Sequence, residues 1–206
     1  VESDWSSASY YYSIAGLSRA ADITIKGLDE HSMQGDKAIA DLGIKFGIET
    51  IYGDKEIRIV KQAKATNPDY LEVNCINTPD LVQTLAVLCA GVGTQVLFSG
   101  LQTLHIKETD RIEALKNELD KVQVALVKMP AKFSKSSQIE YYLQEGKATF
   151  PEDVVCFDTY DDHRMAMSFA TLSVIHPIVI HHKEVVEKSY PNFWKDLTLL
   201  GFSIQE

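Results

Sequence analysis

Residues 78–129 read TPDLVQTLAVLCAGVGTQVLFSGLQTLHIKETDRIEALKNELDKVQVALVKM. Pro79 and Asp80 are typical helix-start residues, and they precede an apolar run of helical length. A short stretch rich in β-forming residues follows and ends at Gly100. We expect a second, amphipathic helix after Asp110 and two strands after that helix. This segment therefore predicts the order helix, strand, helix, strand, strand.

Two other parts of the chain repeat this order. Residues 6–60 show the whole pattern, and residues 161–206 show a helix, a strand, a second helix and a last strand. Short apolar runs at residues 71–75 and 154–157 fit a leading strand for the second and third copies. The repeated unit is then βαβαββ, with a period of roughly 70 to 80 residues. We predict an α/β protein whose repeated βαβαββ units pack around a shared axis.

The amino-acid composition argues against some classes of function. The chain has 206 residues, 45% hydrophobic, and a formal net charge of −9. This excess of acidic residues argues against nucleic acid or an anionic membrane as the partner, and no apolar run approaches the length of a membrane span. The three cysteines are far apart and odd in number, which predicts a reduced, cytoplasmic protein.

Polar residues gather at the expected helix starts. Ser6-Ser7-Ala8-Ser9 precedes one helix, and this run fits either a simple N-cap or a cradle of hydroxyl and N–H groups for a phosphate. Asp80 likewise fits a first-turn cap or an acceptor for a substrate proton. If the repeated units surround an axis, these helix starts could converge on one cleft.

The charged stretch before the second helix of residues 78–129 is unusual. Lys107 and Arg111 are four residues apart and can share a helix face with Glu108. Cations in a first turn oppose the helix dipole, a cost that a bound anion would offset. An exposed pair between Glu108 and Arg111 explains the stretch equally well.

Asp162-His163-Arg164 is the most distinctive run, because charge gives way at once to an apolar helix. Arginine is suited to bidentate recognition of carboxylate or phosphate, and histidine beside an acid is a common proton-transfer pair. We therefore favour a functional role for this run. The histidines at 176, 181 and 182 lack the spacing of a metal site, and we expect no metal.

The motifs DWSSASYY, SMQGD, TPDL, LHIKETDRI, YDDHRMAMSFA and KSYPNFW occur in this order along the chain. Together they resemble 5-enolpyruvylshikimate-3-phosphate synthase, and the resemblance covers essentially all 206 residues. The family fold has two similar domains of three βαβαββ units each, packed about a pseudo-threefold axis, with the site between them. The resemblance implies transfer of the enolpyruvyl group of phosphoenolpyruvate to the 5-hydroxyl of shikimate 3-phosphate, with release of phosphate and without a cofactor.

The resemblance also implies roles at the acceptor side of the reaction. Asp80 would hold the acceptor hydroxyl and take its proton, while Glu108 would serve in proton transfer to the enolpyruvyl methylene beside Lys107. The residues implied to face shikimate 3-phosphate, besides Asp80, are Ser7, Tyr10, Thr103 and Lys107.

For the donor, the resemblance implies that Arg111 and Arg164 clamp the carboxylate of phosphoenolpyruvate and that Lys188 contacts its phosphate. Asp162 and His163 would orient this clamp. Both substrates are anions, so several cations in a closed site suit them.

The resemblance predicts how the chain divides. Residues 1–50 would be the last, incomplete unit of one domain, and residues 51–206 would be most of the second domain. The chain would then match the C-terminal half of the family, and without the N-terminal half it would have no useful turnover. UDP-N-acetylglucosamine enolpyruvyl transferase is a weaker match, because KETDR and DHRMAM are not its motifs. A module that binds an anion without chemistry is the alternative from another class.

Overall fold

The computed structural model describes residues 2–133 and 139–205. In these residues the α-helices are α1 (Trp5–Leu17), α2 (Ala38–Ile44), α3 (Val82–Val92), α4 (Arg111–Asp120), α5 (His163–Ala170) and α6 (Phe193–Leu199). The strands are β1 (Ala21–Lys26), β2 (Ile48–Gly53), β3 (Glu56–Lys61), β4 (Tyr70–Asn74), β5 (Gln95–Ser99), β6 (Ala125–Lys128), β7 (Tyr141–Glu145), β8 (Val155–Phe157) and β9 (Ile178–Ile180). None of the helices in the described ranges is long and apolar enough to cross a membrane.

The second unit runs from β4 to β7 and contains every element of the βαβαββ pattern. Its sheet has the order β4-β5-β7-β6. β4 and β5 are parallel and joined through α3, while β7 pairs antiparallel with both β5 and β6. This arrangement confirms the predicted α/β unit. The sequence of residues 129–137, with Pro130, predicts a turn or hairpin connection. Within it residues 131–133 form a 3₁₀ turn, and residues 134–138 lie outside the described residues.

The predicted boundary at residue 50 falls inside the sheet of the first unit. β2 spans this boundary, and β3, which lies beyond it, pairs antiparallel with β1 on one side and β2 on the other. A sheet cannot be divided between two domains at its central strand without breaking both ladders. The first unit therefore ends at Lys61 at the earliest.

The third unit has β8 parallel to β9, with α5 between them and α6 after them. The last strand predicted near the C-terminus is wrong: residues 201–205 form no strand. Instead Gly201, with φ of 97°, ends α6, and the N–H of Phe202 donates to the carbonyl of Leu197 at 3.1 Å. This return of the chain onto the helix end is a C-cap, which leaves no extended segment to pair.

The first helices of the three units, α1, α3 and α5, pack against one another in the core. Their contact includes buried hydroxyl pairs: Ser9 Oγ lies 3.0 Å from Thr84 Oγ1, and Ser13 Oγ lies 2.9 Å from Thr171 Oγ1. Small polar side chains allow close helix approach while satisfying one another. The three units thus surround one core, as the predicted shared axis requires.

Candidate active site

Arg111, the first residue of α4, is the centre of a buried ion cluster. Its side chain is only 1% exposed. Nε donates to Asp162 Oδ2 at 2.6 Å, Nη1 to Asp80 Oδ1 at 3.1 Å, and Nη2 to Glu108 Oε2 at 2.6 Å. A buried guanidinium is stable only when its donors are paired in this way. The predicted ion pair between Glu108 and Arg111 is present. The prediction that the pair is exposed is wrong for Arg111, whose side chain is buried.

Asp162 links the two arginines. It is fully buried, and it caps α5 by accepting a hydrogen bond from the backbone N–H of Arg164 at 2.8 Å. Its other oxygen binds Arg111. Arg164 in turn donates from Nη2 to Asp80 Oδ2 at 2.8 Å. The starts of α3, α4 and α5 therefore meet at Asp80, as we expected for units about an axis.

A left-handed turn aims Asp162 at α4. Tyr160 and Asp161 have φ of 54° and 56°, a region that residues other than glycine adopt only at a cost. The hydroxyl of Tyr160 donates to Glu118 Oε1 at 2.7 Å, which ties the turn to α4 two helical turns beyond Arg111. This anchoring offsets the backbone cost and places Asp162 against Arg111.

Three side chains form the more accessible edge of the cluster. The side chains of Asp80, Lys107 and Glu108 are 27%, 34% and 44% exposed. Lys107 Nζ lies 3.9 Å from Asp80 Oδ1. A ligand can therefore reach an acid, a cation and a second acid on one surface. This grouping suits proton transfer next to a charged substrate.

Glu108 and His163 have shifted pKa values. Partial burial opposes the charge of Glu108, but its own backbone N–H together with Arg111, His163 and Arg164 holds its pKa below the usual value. Burial lowers the pKa of His163, and Arg164 lowers it further. At neutral pH the site therefore combines an ionised Glu108 with an uncharged imidazole.

The remaining predicted site residues are not part of this network. Ser7 donates from Oγ to Asp4 Oδ2 at 2.9 Å and lines a cavity of about 300 Å³ together with Ser189, the neighbour of Lys188. Lys188 itself is exposed. The helix start predicted at the serines lies earlier, because Asp4 is the N-cap of α1.

Tyr10 and Thr103 differ sharply in burial. Tyr10 is 1% exposed, packs edge-on against Phe193, and its hydroxyl has no hydrogen-bond partner among the described residues. Burial raises the pKa of the Tyr10 hydroxyl, and the charge of Arg164 opposes this rise only in part. Thr103 is exposed in the 3₁₀ turn of residues 102–106. Tyr10 is therefore closed off from solvent, whereas Thr103 is open to it.

Sequence reasoning missed two carboxylates near Arg164. Asp4 caps α1, and Asp36 is nearly buried and accepts a hydrogen bond from Ser6 Oγ at 2.5 Å. Both act electrostatically on Arg164. Both aspartates lie in motifs that carry the family resemblance, DWSSASYY and SMQGD, and those motifs were the available signal. In the described part of the chain, no three acidic, histidine or cysteine side chains are placed to share a metal ion.

The fold and the cluster together define the class of protein. Solved structures similar to the chain along its whole length include an EPSP synthase and an enolpyruvyl transferase. For EPSP synthase from Acinetobacter baumannii the TM-score is 0.72 at 22% identity, with 47% of that chain covered. For the enolpyruvyl transferase NikO from Streptomyces tendae it is 0.60 at 14% identity, with 44% covered. The chain therefore has the enolpyruvyl transferase fold.

Sequence comparison identifies the family. The family model of EPSP synthase (3-phosphoshikimate 1-carboxyvinyltransferase) matches residues 1–197. The chain is 42% identical over all 206 residues to a 3-phosphoshikimate 1-carboxyvinyltransferase of Bacteroides fragilis, and it covers 48% of the length of that protein. It is 33% identical over 196 residues (94% of this chain) to a 3-phosphoshikimate 1-carboxyvinyltransferase of Neisseria meningitidis, of which it covers 42%. The chain belongs to the EPSP synthase family, and it spans about half the length of the curated relatives it matches.

Proposed function

We propose that residues 1–206 are the C-terminal part of an enzyme that transfers the enolpyruvyl group of phosphoenolpyruvate to the 5-hydroxyl of shikimate 3-phosphate and releases phosphate. The cluster of Arg111, Arg164, Asp80 and Asp162 is the observation that carries the proposal. It is built from three of the motifs that carry the resemblance, TPDL, KETDR and DHRMAM, and it lies where three helix starts meet. We further propose that the enzyme acts in the cytoplasm, in aromatic amino-acid biosynthesis, without a cofactor.

The accessible edge of the cluster supports the two proton transfers. Addition of the acceptor hydroxyl to the phosphate-bearing carbon of the enol phosphate requires a base for the hydroxyl and an acid for the methylene. We assign the base to Asp80 and the methylene proton transfer to Glu108, with Lys107 beside Asp80 to stabilise developing charge. Loss of the methyl proton then accompanies departure of phosphate and restores the enolpyruvyl double bond.

Arg164 and Arg111 differ as candidates for the carboxylate clamp. The side chain of Arg164 is 14% exposed and donates to Asp80 from Nη2. All three nitrogens of Arg111 already donate to carboxylates. A donor carboxylate could therefore engage Arg164 directly, whereas Arg111 would first have to release Asp80 or Glu108.

The other assignments remain proposals from the resemblance. Lys188 would contact the donor phosphate, and His163 would help to orient Arg164. The residues proposed to face shikimate 3-phosphate are Ser7, Tyr10, Thr103 and Lys107. Tyr10 would act through Arg164 unless the site opens, because it is buried.

The packing of the three units bears on the domain organisation. Residues 2–61 share their core with the later units, since α1 packs against α3 and α5. We therefore propose that all three units belong to one domain, in place of the predicted division in which residues 1–50 belong to its partner. The other wall of the site would come from the remaining half of the enzyme, and residues 1–206 alone would have no useful turnover.

The proposal is tested by activity of the full-length polypeptide that contains this chain. We expect phosphate release that requires both substrates, and a loss of about 100-fold or more in kcat/KM for Arg164→Ala. Arg58→Ala, far from the cluster, is the matched control. Binding of shikimate 3-phosphate without any phosphate release from a well-folded protein would instead support the alternative, an anion-binding module.

A further inference from the structure

Glu118 is a fully buried carboxylate to which no catalytic or binding role has been assigned. It lies on α4 seven residues after Arg111, which is about two helical turns, so the two side chains project from the same face of the helix. The side chain of Glu118 is 0% exposed. A carboxylate this deeply buried is stable only when hydrogen-bond donors replace the lost water.

Three donors surround the carboxylate of Glu118. Its Oε1 accepts from the hydroxyl of Tyr160 at 2.7 Å. Its Oε2 accepts from the backbone N–H of Asp158 at 2.9 Å and lies 2.7 Å from Lys121 Nζ. Two of these donors belong to the loop between β8 and α5, so Glu118 fastens that loop to α4. Lys121, which is partly exposed, supplies the opposite charge.

The same loop is attached to α4 at a second point. At its end Asp162 accepts from Arg111 Nε at 2.6 Å. Between the two attachments the backbone is left-handed, with φ of 54° and 56° at residues 160 and 161. Residues other than glycine keep this conformation only where the surrounding contacts fix it. The attachment at Glu118 therefore controls where the loop places Asp162.

The first residue of the loop has further partners. Lys121 Nζ donates to Asp158 Oδ2 at 2.9 Å, and His181 Nδ1 lies 2.8 Å from Asp158 Oδ1. These contacts fix Asp158 without involving Tyr160. They cannot replace the hydrogen bond from the Tyr160 hydroxyl to Glu118, which reaches into the left-handed turn itself.

We propose that Glu118 is a positioning residue, which acts through Tyr160 to keep the carboxylate of Asp162 in the ion cluster. Asp162 in turn fixes Arg111 and caps the helix that carries Arg164. The positioning follows from the hydrogen bonds of the loop. Its consequence for turnover rests on the proposed function, in which the two arginines bind the carboxylate of phosphoenolpyruvate. Glu118 touches neither substrate.

The direct test is side-chain NMR of the 206-residue chain. Arg111 Nε–H donates to Asp162, so its hydrogen exchange reports how firmly that carboxylate is held. We expect Tyr160→Phe, which deletes only a hydroxyl, to accelerate this exchange about fivefold. The matched control is Tyr12→Phe. It deletes a hydroxyl that lies 2.7 Å from Thr50 Oγ1 in the first unit, and it should leave the exchange unchanged.

Glu118→Gln tests the carboxylate itself. The glutamine amide keeps one acceptor oxygen but turns an NH₂ group toward a donor, so we expect a larger acceleration, about tenfold. Adding Tyr160→Phe to Glu118→Gln should accelerate the exchange little further, because both changes release the same attachment.

Three outcomes would overturn the proposal. The first is unchanged exchange at Arg111 in Tyr160→Phe, with the near-ultraviolet circular dichroism of the parent. The second is an equal acceleration by Tyr12→Phe, and the third is full additivity of Tyr160→Phe and Glu118→Gln. Tyr160→Phe keeps the charge of Glu118 and its pairing with Lys121, so it decides the question even when Glu118→Gln does not fold.

Turnover of the full-length polypeptide gives the second measurement. We expect Tyr160→Phe to raise the KM for phosphoenolpyruvate about fivefold, with kcat and the KM for shikimate 3-phosphate within about twofold of the parent. A general loss of stability would not select the donor in this way. An unchanged KM for phosphoenolpyruvate would overturn the role in the reaction. If the parent itself releases no phosphate, the proposed function fails, whereas the exchange measurement still decides the role of Glu118.

Discussion

Two arginine–aspartate pairs in this protein have similar chemistry and very different surroundings. Arg58 on β3 forms a bidentate pair with Asp22 on β1, with Nε 2.6 Å from Oδ1, and both side chains are more than half exposed. Arg111 binds Asp162 through Nε, also at 2.6 Å, but these side chains are 1% and 0% exposed. Equal hydrogen-bond lengths therefore do not imply equal importance.

The two pairs differ in how well the remaining charge is solvated when one partner is removed. Water can replace Asp22 at the exposed pair, so breaking that pair leaves no unsatisfied charge. Water does not reach Arg111, and three carboxylates depend on it. Removing one member of a buried cluster leaves the other charges without a partner and without solvent. The comparison predicts a steep gradient of effects from the cluster to the surface.

The largest effect is expected for Arg111→Met, which removes the cation and keeps much of the side-chain volume. We expect a loss of about 3 to 5 kcal/mol in the free energy of unfolding, because Asp162 becomes a buried, unpaired anion. Urea denaturation of the chain measures this loss, with Arg58→Met as the control. If the two variants have the same urea midpoint, the predicted difference between the buried and the exposed arginine is wrong.

Asp162→Asn sharpens the comparison by removing charge alone. Asparagine can still cap α5, but Arg111 loses its fully buried anion while Asp80 and Glu108 remain. We expect a loss of about 2 kcal/mol, smaller than for Arg111→Met. The same urea titration decides the order, and Asp22→Asn is the exposed counterpart. A larger loss for Asp162→Asn than for Arg111→Met would mean that the cap, not the cluster, governs stability.

A smaller, pH-dependent effect is expected at His163. Burial lowers the pKa of His163 from its ordinary value of 6.5, so the unfolded chain binds a proton at a higher pH than the folded chain. The resulting stability is present above about pH 6.5 and is lost as the pH falls toward the lower folded pKa. The urea midpoint of the parent should therefore drop between about pH 7 and pH 5.5 more than that of His163→Gln. Parallel curves would show that His163 titrates normally.

The smallest effect is expected at the exposed pair. Arg58→Met should leave the urea midpoint within experimental error of the parent, and added salt should not change that result. A clear destabilisation by Arg58→Met at low salt would show that the pair contributes to the β1–β3 ladder, and would narrow the contrast with Arg111.

Much of the second unit could be predicted from local patterns. The strand expected at residues 95–99 is found as Gln95–Ser99, and a helix follows Pro79 and Asp80 after one 3₁₀ turn. These elements are set by local propensity and by apolar periodicity. The prediction of a last strand in the third unit was wrong. Residues such as Gly201 and Phe202 occur at strand ends as well as in helix caps, and here they form a cap. Composition does not distinguish the two when no partner strand is known.

The sequence by itself determined the repeated unit, the family and the motifs that supply Asp80, Lys107, Glu108, Arg111 and Arg164. These properties depend on residue type and order along the chain. Only the tertiary structure decided that Arg111 is buried and that Ser7 and Tyr10 lie outside the ion network. Burial and the pairing of charges depend on which units pack together, and a local pattern carries no information about that packing.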